Sequence, residues 1–220
     1  MTLAIFDLDN TLIATDSDHL WGDWLVEKNI VDPQLYKETN DQFYRDYQDG
    51  RLDIMAYLRF ALKVLAENDM AQLHHWREQF LAEKLDEMWL PRAEALLQKH
   101  RDQGHTLMII TATNDFVTAP LADRLGVDHL IATVAERRGE QYTGNVAGTP
   151  SYREGKVERL NQWLDDNDET LAGSWFYSDS HNDLPLLKIV DHPVAVDPDA
   201  TLERHALEQG WPILSLRDPD

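Results

Sequence analysis

The most informative stretch of the 220-residue chain lies close to its start and reads Ala4-Ile5-Phe6-Asp7-Leu8-Asp9-Asn10-Thr11-Leu12. Residues 2–6 have the length and apolar character of a short buried strand, and Asp7 stands where that strand ends. In an open parallel sheet, ligands bind at the carboxyl ends of the strands. Two carboxylates one residue apart repel each other there unless a cation or a proton separates them. The stretch therefore indicates a metal site, an acid–base pair, or both, and the alternative is an aspartate-rich turn that caps a helix.

Composition excludes several classes of function. A formal net charge of −20 argues against a nucleic-acid surface and against a polybasic membrane anchor. The chain contains no cysteine, which excludes disulfides, thiolate nucleophiles and zinc–cysteine sites. No apolar run reaches the length of a membrane span, and the start of the chain has no signal-peptide pattern. We therefore expect a cytoplasmic protein that is a monomer or a homodimer.

Apolar residues recur with helical spacing from Asp16 to about Trp89. The pattern indicates four amphipathic helices, with Asp53 and Asp69 as N-caps of the last two. Strand-like runs are missing from this part of the sequence. It is therefore predicted to be an inserted helical cap domain at 15–86, and the remainder, 1–14 and 87–220, to be the catalytic core.

Strands and helices alternate after this insertion, which predicts a parallel sheet with right-handed crossovers in a three-layer, Rossmann-like α/β core. The gap between the first and second strands is too long for one crossover, and the insertion explains it. Residues 136–146 are predicted to form a β-hairpin. The remaining strands are predicted at 105–111, 129–132, 175–178 and 193–196, with a last short run at 213–216. The helices are predicted at 91–104, 114–125, 155–164, 183–189 and 201–209.

Polar residues fall at strand ends or helix starts in four places of this pattern. They are Asp7 with Asp9, the run Thr111-Ala112-Thr113, Lys156, and the run 178–183 (Ser-Asp-Ser-His-Asn-Asp). Each has an ordinary interpretation alone, as a strand end, a solvated charge, or turn and capping residues. Together they would face the same edge of an open parallel sheet. The combination supplies a nucleophile, an acid, a hydroxyl donor, a cation and metal ligands.

These residues resemble the motifs of a known family. Residues 7–11 match the first motif of the haloacid dehalogenase superfamily of phosphatases. Thr111, Lys156, and Asp179 with Asp183 match its second, third and fourth motifs in the same order. The helical insertion resembles the C1-type cap of the phosphoserine-phosphatase-like branch. The resemblance spans residues 5–185 and departs at Ser178, where many members have glycine.

The resemblance implies a Mg²⁺-dependent phosphomonoesterase that works through an aspartyl-phosphate. Asp7 is the expected nucleophile, and Asp9 the expected acid for the leaving alkoxide and then the base for water. The expected metal ligands are Asp7, Asp179 and the carbonyl of Asp9, while Asp183 holds a metal-bound water or orients a neighbour. Lys156 is expected to neutralise the nucleophile and the phosphoryl oxygens. The expected phosphate ligands are Thr111, Lys156 and the N–H groups of Leu8, Asp9 and Ala112.

The substrate is expected to be a small-molecule phosphate ester chosen by the cap. Acidic and aromatic residues just beyond the first motif suit a cationic leaving group; these candidates are Asp16, Asp18, Trp21 and Trp24. Histidinol phosphate suits them better than phosphoserine, although Arg51 or Arg59 would instead suit a substrate carboxylate. The ordinary interpretation of the four candidates is a charged helix N-terminus beside core tryptophans.

Three other functions are compatible with the same residues. A phosphoacceptor receiver domain uses a similar acidic cluster as a switch, but it has no place for a cap. A phosphomutase would use the same residues and depend on a bisphosphate activator. A non-catalytic structural module would bind no metal.

Overall fold

The computed structural model describes residues 2–217 and builds them around a seven-stranded sheet in the order β4-β3-β2-β1-β5-β6-β7. The strands are β1 Leu3–Phe6, β2 Thr106–Asn114, β3 His129–Arg138, β4 Gln141–Ala147, β5 Trp175–Ser178, β6 His192–Val196 and β7 Ile213–Leu214. Every described pair of neighbouring strands is parallel apart from β3 and β4, which are antiparallel. The predicted α/β sheet is confirmed, and the hairpin predicted at 136–146 is the β3–β4 edge of this sheet.

Ten helices accompany the sheet in the described part of the chain. They are α1 Ser17–Glu27, α2 Pro33–Gln48, α3 Ile54–Ala61, α4 Lys63–Glu67, α5 Met70–Met88, α6 Pro91–Asp102, α7 Asp115–Leu125, α8 Glu154–Asn167, α9 Leu184–Leu187 and α10 Ala200–Gln209. The insertion has five helices rather than the four predicted, because the chain bends at Leu62 and α4 packs separately on β4. Asp53 and Asp69 are N-caps, as predicted, and accept hydrogen bonds from the amides of Ala56 and Gln72.

The sheet buries apolar side chains on both faces, which makes three layers. Along β1, Leu3 and Ile5 point to one face while Ala4 and Phe6 point to the other, as the two-residue period of a strand requires. The first face packs on α8, α9 and α10, and the second on α6 and α7. No helix within residues 2–217 is both long enough and apolar enough to cross a membrane.

The second face also receives part of the helical insertion. Trp21 of α1 lies edge-on to Phe80 of α5 at 5.3 Å and to Phe116 of α7 at 5.9 Å, measured between ring centroids. These residues belong to the same buried cluster as Phe6 in the sheet. Helix α2 is different, because Asn40 alone is buried among its sixteen described residues. The helices α1 and α5 are thus continuous with the core, whereas α2 lies on its outside.

Candidate active site

The polar residues that follow the strands converge at one edge of the sheet. Asp7 comes directly after β1, Thr111 and Thr113 lie in the last half of β2, and Asp179 comes directly after β5. Lys156 lies in the first turn of α8. A cavity separates this edge from the helical insertion. It is lined by Asp7, Asp9, Asp16, Asp18, His19, Asn40, Phe43, Tyr44, Tyr47, Leu52, Ile54, Tyr57, Thr111, Ala112, Thr113 and Lys156.

A buried lysine lies between two buried carboxylates at the floor of this cavity. The Nζ atom of Lys156 is 3.0 Å from Oδ1 of Asp7 and 2.8 Å from a carboxylate oxygen of Asp183. Burial raises the pKa of Asp7 well above its usual value, although Lys156 opposes the shift. Burial alone would lower the pKa of Lys156, but Asp183 and Asp7 together raise it. The lysine is therefore a fixed cation beside Asp7, the carboxylate that the sequence led us to expect as the nucleophile.

Asp9 has a different environment, because its carboxylate accepts three hydrogen bonds. The Ser17 amide donates to Oδ1 at 2.7 Å, and Oγ1 of Thr113 donates to Oδ2 at 2.8 Å. A longer bond to Oδ2 comes from Oγ1 of Thr111 at 3.3 Å. Burial, together with the nearby Asp16, raises the pKa of Asp9 to about 6 despite these donors. A carboxyl group that titrates near neutrality is suited to give and take a proton.

Asp179 and Asp183 are each oriented by a hydroxyl group. Oγ1 of Thr11 donates to Oδ1 of Asp179 at 3.0 Å, and Oγ of Ser178 donates to Oδ2 of Asp183 at 2.7 Å. Burial and the neighbouring Asp183 raise the pKa of Asp179 to about 7. Ser178, the departure from the family pattern, therefore positions Asp183 through a bond that glycine would not provide.

The donor set at this edge fits a magnesium ion. Asp7 and Asp179 are buried carboxylates, and they lie close enough that Asp179 raises the pKa of Asp7. Oxygen ligands of this kind are what Mg²⁺ prefers, and a divalent cation would relieve the repulsion between them. Burial is the largest cause of the raised pKa values of both carboxyl groups, and Lys156 opposes it only in part.

The cap candidates divide into two groups. Asp16 and Asp18 line the cavity, and Tyr57 Oη donates to Oδ2 of Asp18 at 2.6 Å. Burial raises the pKa of Asp18 to about 6. Trp21 and Trp24 do not line the cavity; they stack on each other at 5.4 Å within the apolar core. Trp21 packs against α5 and α7 and Trp24 against α5, so the ordinary interpretation of core residues holds for both.

The alternative cap residues, Arg51 and Arg59, are both exposed and neither lines the cavity. Nη2 of Arg51 is 2.5 Å from Oδ2 of Asp49 on the outer surface. Leu8 has a buried side chain in the core, while Ala112 lines the cavity as expected. The expected roles of the Leu8 and Ala112 N–H groups in phosphate binding stay predictions.

Several residues of the site were not predicted from the sequence. Thr113 stood in the polar run noted with Thr111 but was assigned no role; its hydroxyl donates to Asp9, as that of Thr111 does. The Ser17 amide is the start of α1, and only the path of the chain brings it to Asp9. Tyr44 and Tyr47 are spaced as one face of α2, but the sequence does not indicate that this face covers the cavity.

The raised pKa values predict how the metal-free protein responds to pH. Asp9, Asp18 and Asp179, with pKa values of about 6, 6 and 7, keep protons in the folded state that the unfolded chain releases near 3.8. Stability is therefore expected to fall as the pH rises from about 4 to about 8, and the melting temperature in EDTA to fall by about 5–10 °C. Mg²⁺ should restore the part of the loss at pH 8 that comes from Asp179, since Asp179 alone among the three is expected to bind the ion through its carboxylate. Thermal denaturation followed by circular dichroism would measure this, and a melting temperature that rises with pH in EDTA would contradict it.

Comparison with known proteins identifies the class. A family model described as haloacid dehalogenase-like hydrolase matches residues 4–188, which is most of the chain. The chain therefore belongs to the haloacid dehalogenase-like hydrolases, and the resemblance seen in the motifs is confirmed. This membership removes the receiver-type switch and the non-catalytic module.

The relatives narrow the class to phosphatases. The chain is 47% identical over 219 residues to a histidinol-phosphatase of Neisseria meningitidis serogroup C (strain 8013), covering 98% of this chain and 99% of the relative. It is 32% identical over 220 residues to the phosphoserine phosphatase SerB1 of Mycobacterium tuberculosis (strain ATCC 25618 / H37Rv), covering 97% of this chain and 70% of that protein. The protein is accordingly a phosphatase.

Solved structures agree on the fold. A protein of unknown function from Bordetella pertussis Tohama I superposes with a TM-score of 0.92 at 40% identity, covering 98% of this chain and all of the other. A phosphoserine phosphatase with an analogue of its phospho-aspartyl intermediate gives a TM-score of 0.69 at 16% identity, covering 98% of this chain and 93% of that one. The second comparison supports the fold alone.

Proposed function

We propose that the protein hydrolyses histidinol phosphate with Mg²⁺ through an aspartyl-phosphate on Asp7. The observation that carries this proposal is the pair of carboxyl groups in the cavity wall that the helical insertion provides. Asp16 and Asp18 line that wall together with aromatic side chains such as Phe43 and Tyr57. Carboxylates bind an ammonium group through charge-assisted hydrogen bonds, and aromatic faces attract a cation or stack on an imidazole.

Phosphoserine fits the same wall less well, because it brings a carboxylate as well as an ammonium group. Within residues 2–217 the lining contains one lysine, Lys156, and no arginine. Lys156 is already bound to Asp7 and Asp183. A substrate carboxylate would therefore meet Asp16 or Asp18 without a free arginine to receive it. The histidinol-phosphatase from Neisseria, which matches this chain over nearly its whole length, supports the same choice.

The proposed reaction assigns a separate task to each carboxylate. Asp7 attacks phosphorus and forms the aspartyl-phosphate, while the bond to the leaving oxygen breaks and Asp9 gives that oxygen its proton. Asp9 then takes a proton from water, and the hydroxide attacks phosphorus to release phosphate and free Asp7. Lys156 holds the nucleophile and neutralises the phosphoryl oxygens. Asp7, Asp179 and the Asp9 carbonyl would hold Mg²⁺, which would supply positive charge against the repulsion between carboxylate and phosphate.

The substrate is tested by measuring phosphate release from histidinol phosphate and from phosphoserine at equal Mg²⁺. The value of kcat/KM for histidinol phosphate is expected to exceed that for phosphoserine by about 100-fold, because a buried unpaired carboxylate costs several kcal/mol. Release of phosphate without a bisphosphate activator separates the reaction from that of a phosphomutase. Equal values for the two substrates, or a preference for phosphoserine, would overturn the proposal.

Asp16→Asn is expected to raise KM for histidinol phosphate by about 10-fold to 100-fold, since it removes one charge-assisted contact with the leaving group. Asparagine is also a good N-cap, so the bond that Asp16 Oδ1 accepts from the amide of His19 should survive. KM for p-nitrophenyl phosphate, which has no cation, serves as the control and should change less than threefold. An equal rise in KM for both substrates would show that Asp16 does not bind the cationic leaving group.

Asp9→Asn is expected to slow hydrolysis of an alkyl phosphate such as histidinol phosphate by about 10³-fold. The loss for p-nitrophenyl phosphate should be about tenfold smaller, because its leaving group needs no proton. Steady-state rates on both substrates measure the difference, with Asp123→Asn, on the exposed side of α7, as the control. An equal loss on both substrates would contradict the acid role of Asp9.

A further inference from the structure

The outer wall of the cavity comes from the least buried helix in the insertion. Helix α2 supplies Asn40, Phe43, Tyr44 and Tyr47 to the lining. Among the sixteen described residues of α2, Asn40 alone is buried. The other contacts of α2 come from half-buried or exposed side chains, among them Phe43, whose ring lies 5.4 Å from that of Tyr57. Segments with few buried side chains open locally with little loss of the remaining structure.

Two core side chains bind the C-terminal end of α2. Nη2 of Arg153 donates to the carbonyl of Gly50 at 2.5 Å, and Nδ2 of Asn182 donates to the carbonyl of Tyr47 at 3.2 Å. The two side chains are also joined to each other, because Nε of Arg153 donates to Oδ1 of Asn182 at 3.0 Å. One planar guanidinium group thus bridges the end of α2 and the core.

The same two residues directly adjoin the charged groups of the cavity floor. Arg153 is the residue before α8, and its carbonyl accepts a hydrogen bond from the amide of Lys156 at 3.0 Å. Asn182 immediately precedes Asp183, which receives a hydrogen bond from Lys156. Arg153 therefore connects the end of α2 to Lys156, and Asn182 connects it to Asp183. Lys156 in turn bonds to both Asp7 and Asp183.

The backbone at this contact is strained on one side and closely packed on the other. Arg153 has φ 50° and ψ −120°, a conformation that favours glycine and that other residues keep only where surrounding contacts hold them. Gly50 has φ 65°, and a Cβ there would lie 2.6 Å from Nε2 of His181. Arg153 keeps a backbone conformation that favours glycine, and its side chain contacts Gly50, where the absence of a Cβ allows close approach. We therefore infer that the Arg153 side chain has a role other than starting α8.

We propose that Arg153 is a positioning residue that ties α2 to the start of α8. With the bridge formed, α2 covers the cavity and the first turn of α8 holds Lys156 against Asp7. With the bridge broken, the end of α2 separates from the core and the cavity opens. The bridge does not involve the leaving group, so this inference is independent of which phosphate ester is the substrate.

Amide hydrogen exchange of the free full-length protein with Mg²⁺ tests the bridge without any substrate. In Arg153→Gly and in Arg153→Lys, exchange in segment 46–52 is expected to be at least tenfold faster than in the wild type. Exchange in β2 should be unchanged. Arg59→Ala is the control, since it removes an exposed arginine from the same insertion. Unchanged exchange in both Arg153 variants would overturn the proposal.

Kinetics with p-nitrophenyl phosphate and thermal denaturation separate positioning from support of the fold. Both Arg153 variants are expected to lose at least tenfold in kcat/KM, while Arg153→Gly keeps or raises the melting temperature because glycine suits this backbone. Lysine keeps the charge but does not bridge both acceptors, so wild-type kinetics in Arg153→Lys would overturn the proposal. A melting temperature that falls in Arg153→Gly together with activity would assign a structural role and also overturn it. If the wild type does not hydrolyse histidinol phosphate but the Arg153 variants behave as expected, only the proposed substrate is rejected.

Discussion

Asp7→Asn is expected to lower kcat by about 10⁴-fold or more while leaving the fold intact. The amide of asparagine has the shape of the carboxylate but does not attack phosphorus, so no aspartyl-phosphate forms. Its oxygen can still accept the hydrogen bond from Lys156 that Asp7 accepts at 3.0 Å. Phosphate release from p-nitrophenyl phosphate measures the activity, and circular dichroism measures the fold.

Asp123→Asn is the matched control for this experiment, since it makes the same chemical change on the exposed side of α7. Its activity should stay within twofold of the wild type. Retention of more than a tenth of wild-type kcat by a freshly purified Asp7→Asn protein would contradict the nucleophilic role. The result would then point to direct attack by water, with Asp7 serving only as a ligand or a base.

Lys156→Met is expected to lower the free energy of unfolding by about 3–5 kcal/mol at pH 8 in EDTA, in addition to abolishing turnover. Methionine fills a similar volume, but it leaves Asp7 and Asp183 buried without the cation that lies 3.0 Å and 2.8 Å from them. The loss should be smaller at pH 5, because Asp7, whose pKa is already raised by burial, takes up a proton when the lysine is gone.

Urea denaturation at the two pH values measures this difference, with Lys188→Met as the control because Lys188 is exposed. The control should change the free energy of unfolding by less than about 0.5 kcal/mol. An equal loss of stability relative to the wild type at pH 5 and at pH 8 would show that the two carboxylates are not held by this lysine.

The sequence was informative wherever a local pattern determines the outcome. A strand end followed by Asp7 and a helix start at Lys156 were each readable from a few residues. The strand end predicted at Thr111 was wrong, because β2 continues to Asn114. A parallel sheet brings its strand ends to one edge, so their meeting in space followed from the fold class. The helix caps Asp53 and Asp69 were readable for the same reason, since a cap depends on only the next three residues.

The remaining features depend on how distant segments pack, which local patterns do not encode. Asp18 and Trp21 lie three residues apart on α1, yet one lines the cavity and the other packs in the core. The packing of α1 against α5 and α7 determines which side of α1 faces the cavity. The sequence of α1 alone does not indicate that side. The contact between Arg153 and Gly50 joins residues that are 103 positions apart. This contact could be identified only from the three-dimensional path of the chain between the two residues.

The low burial of α2 affects how the substrate specificity of this enzyme can change during evolution. A helix with one buried residue among sixteen tolerates substitution at low cost to stability, because few of its side chains support the core. The same helix contributes Asn40, Phe43, Tyr44 and Tyr47 to the lining of the cavity. Substitutions in α2 could therefore change the specificity for the phosphate ester. The residues around Asp7 and the folding of the sheet would stay the same.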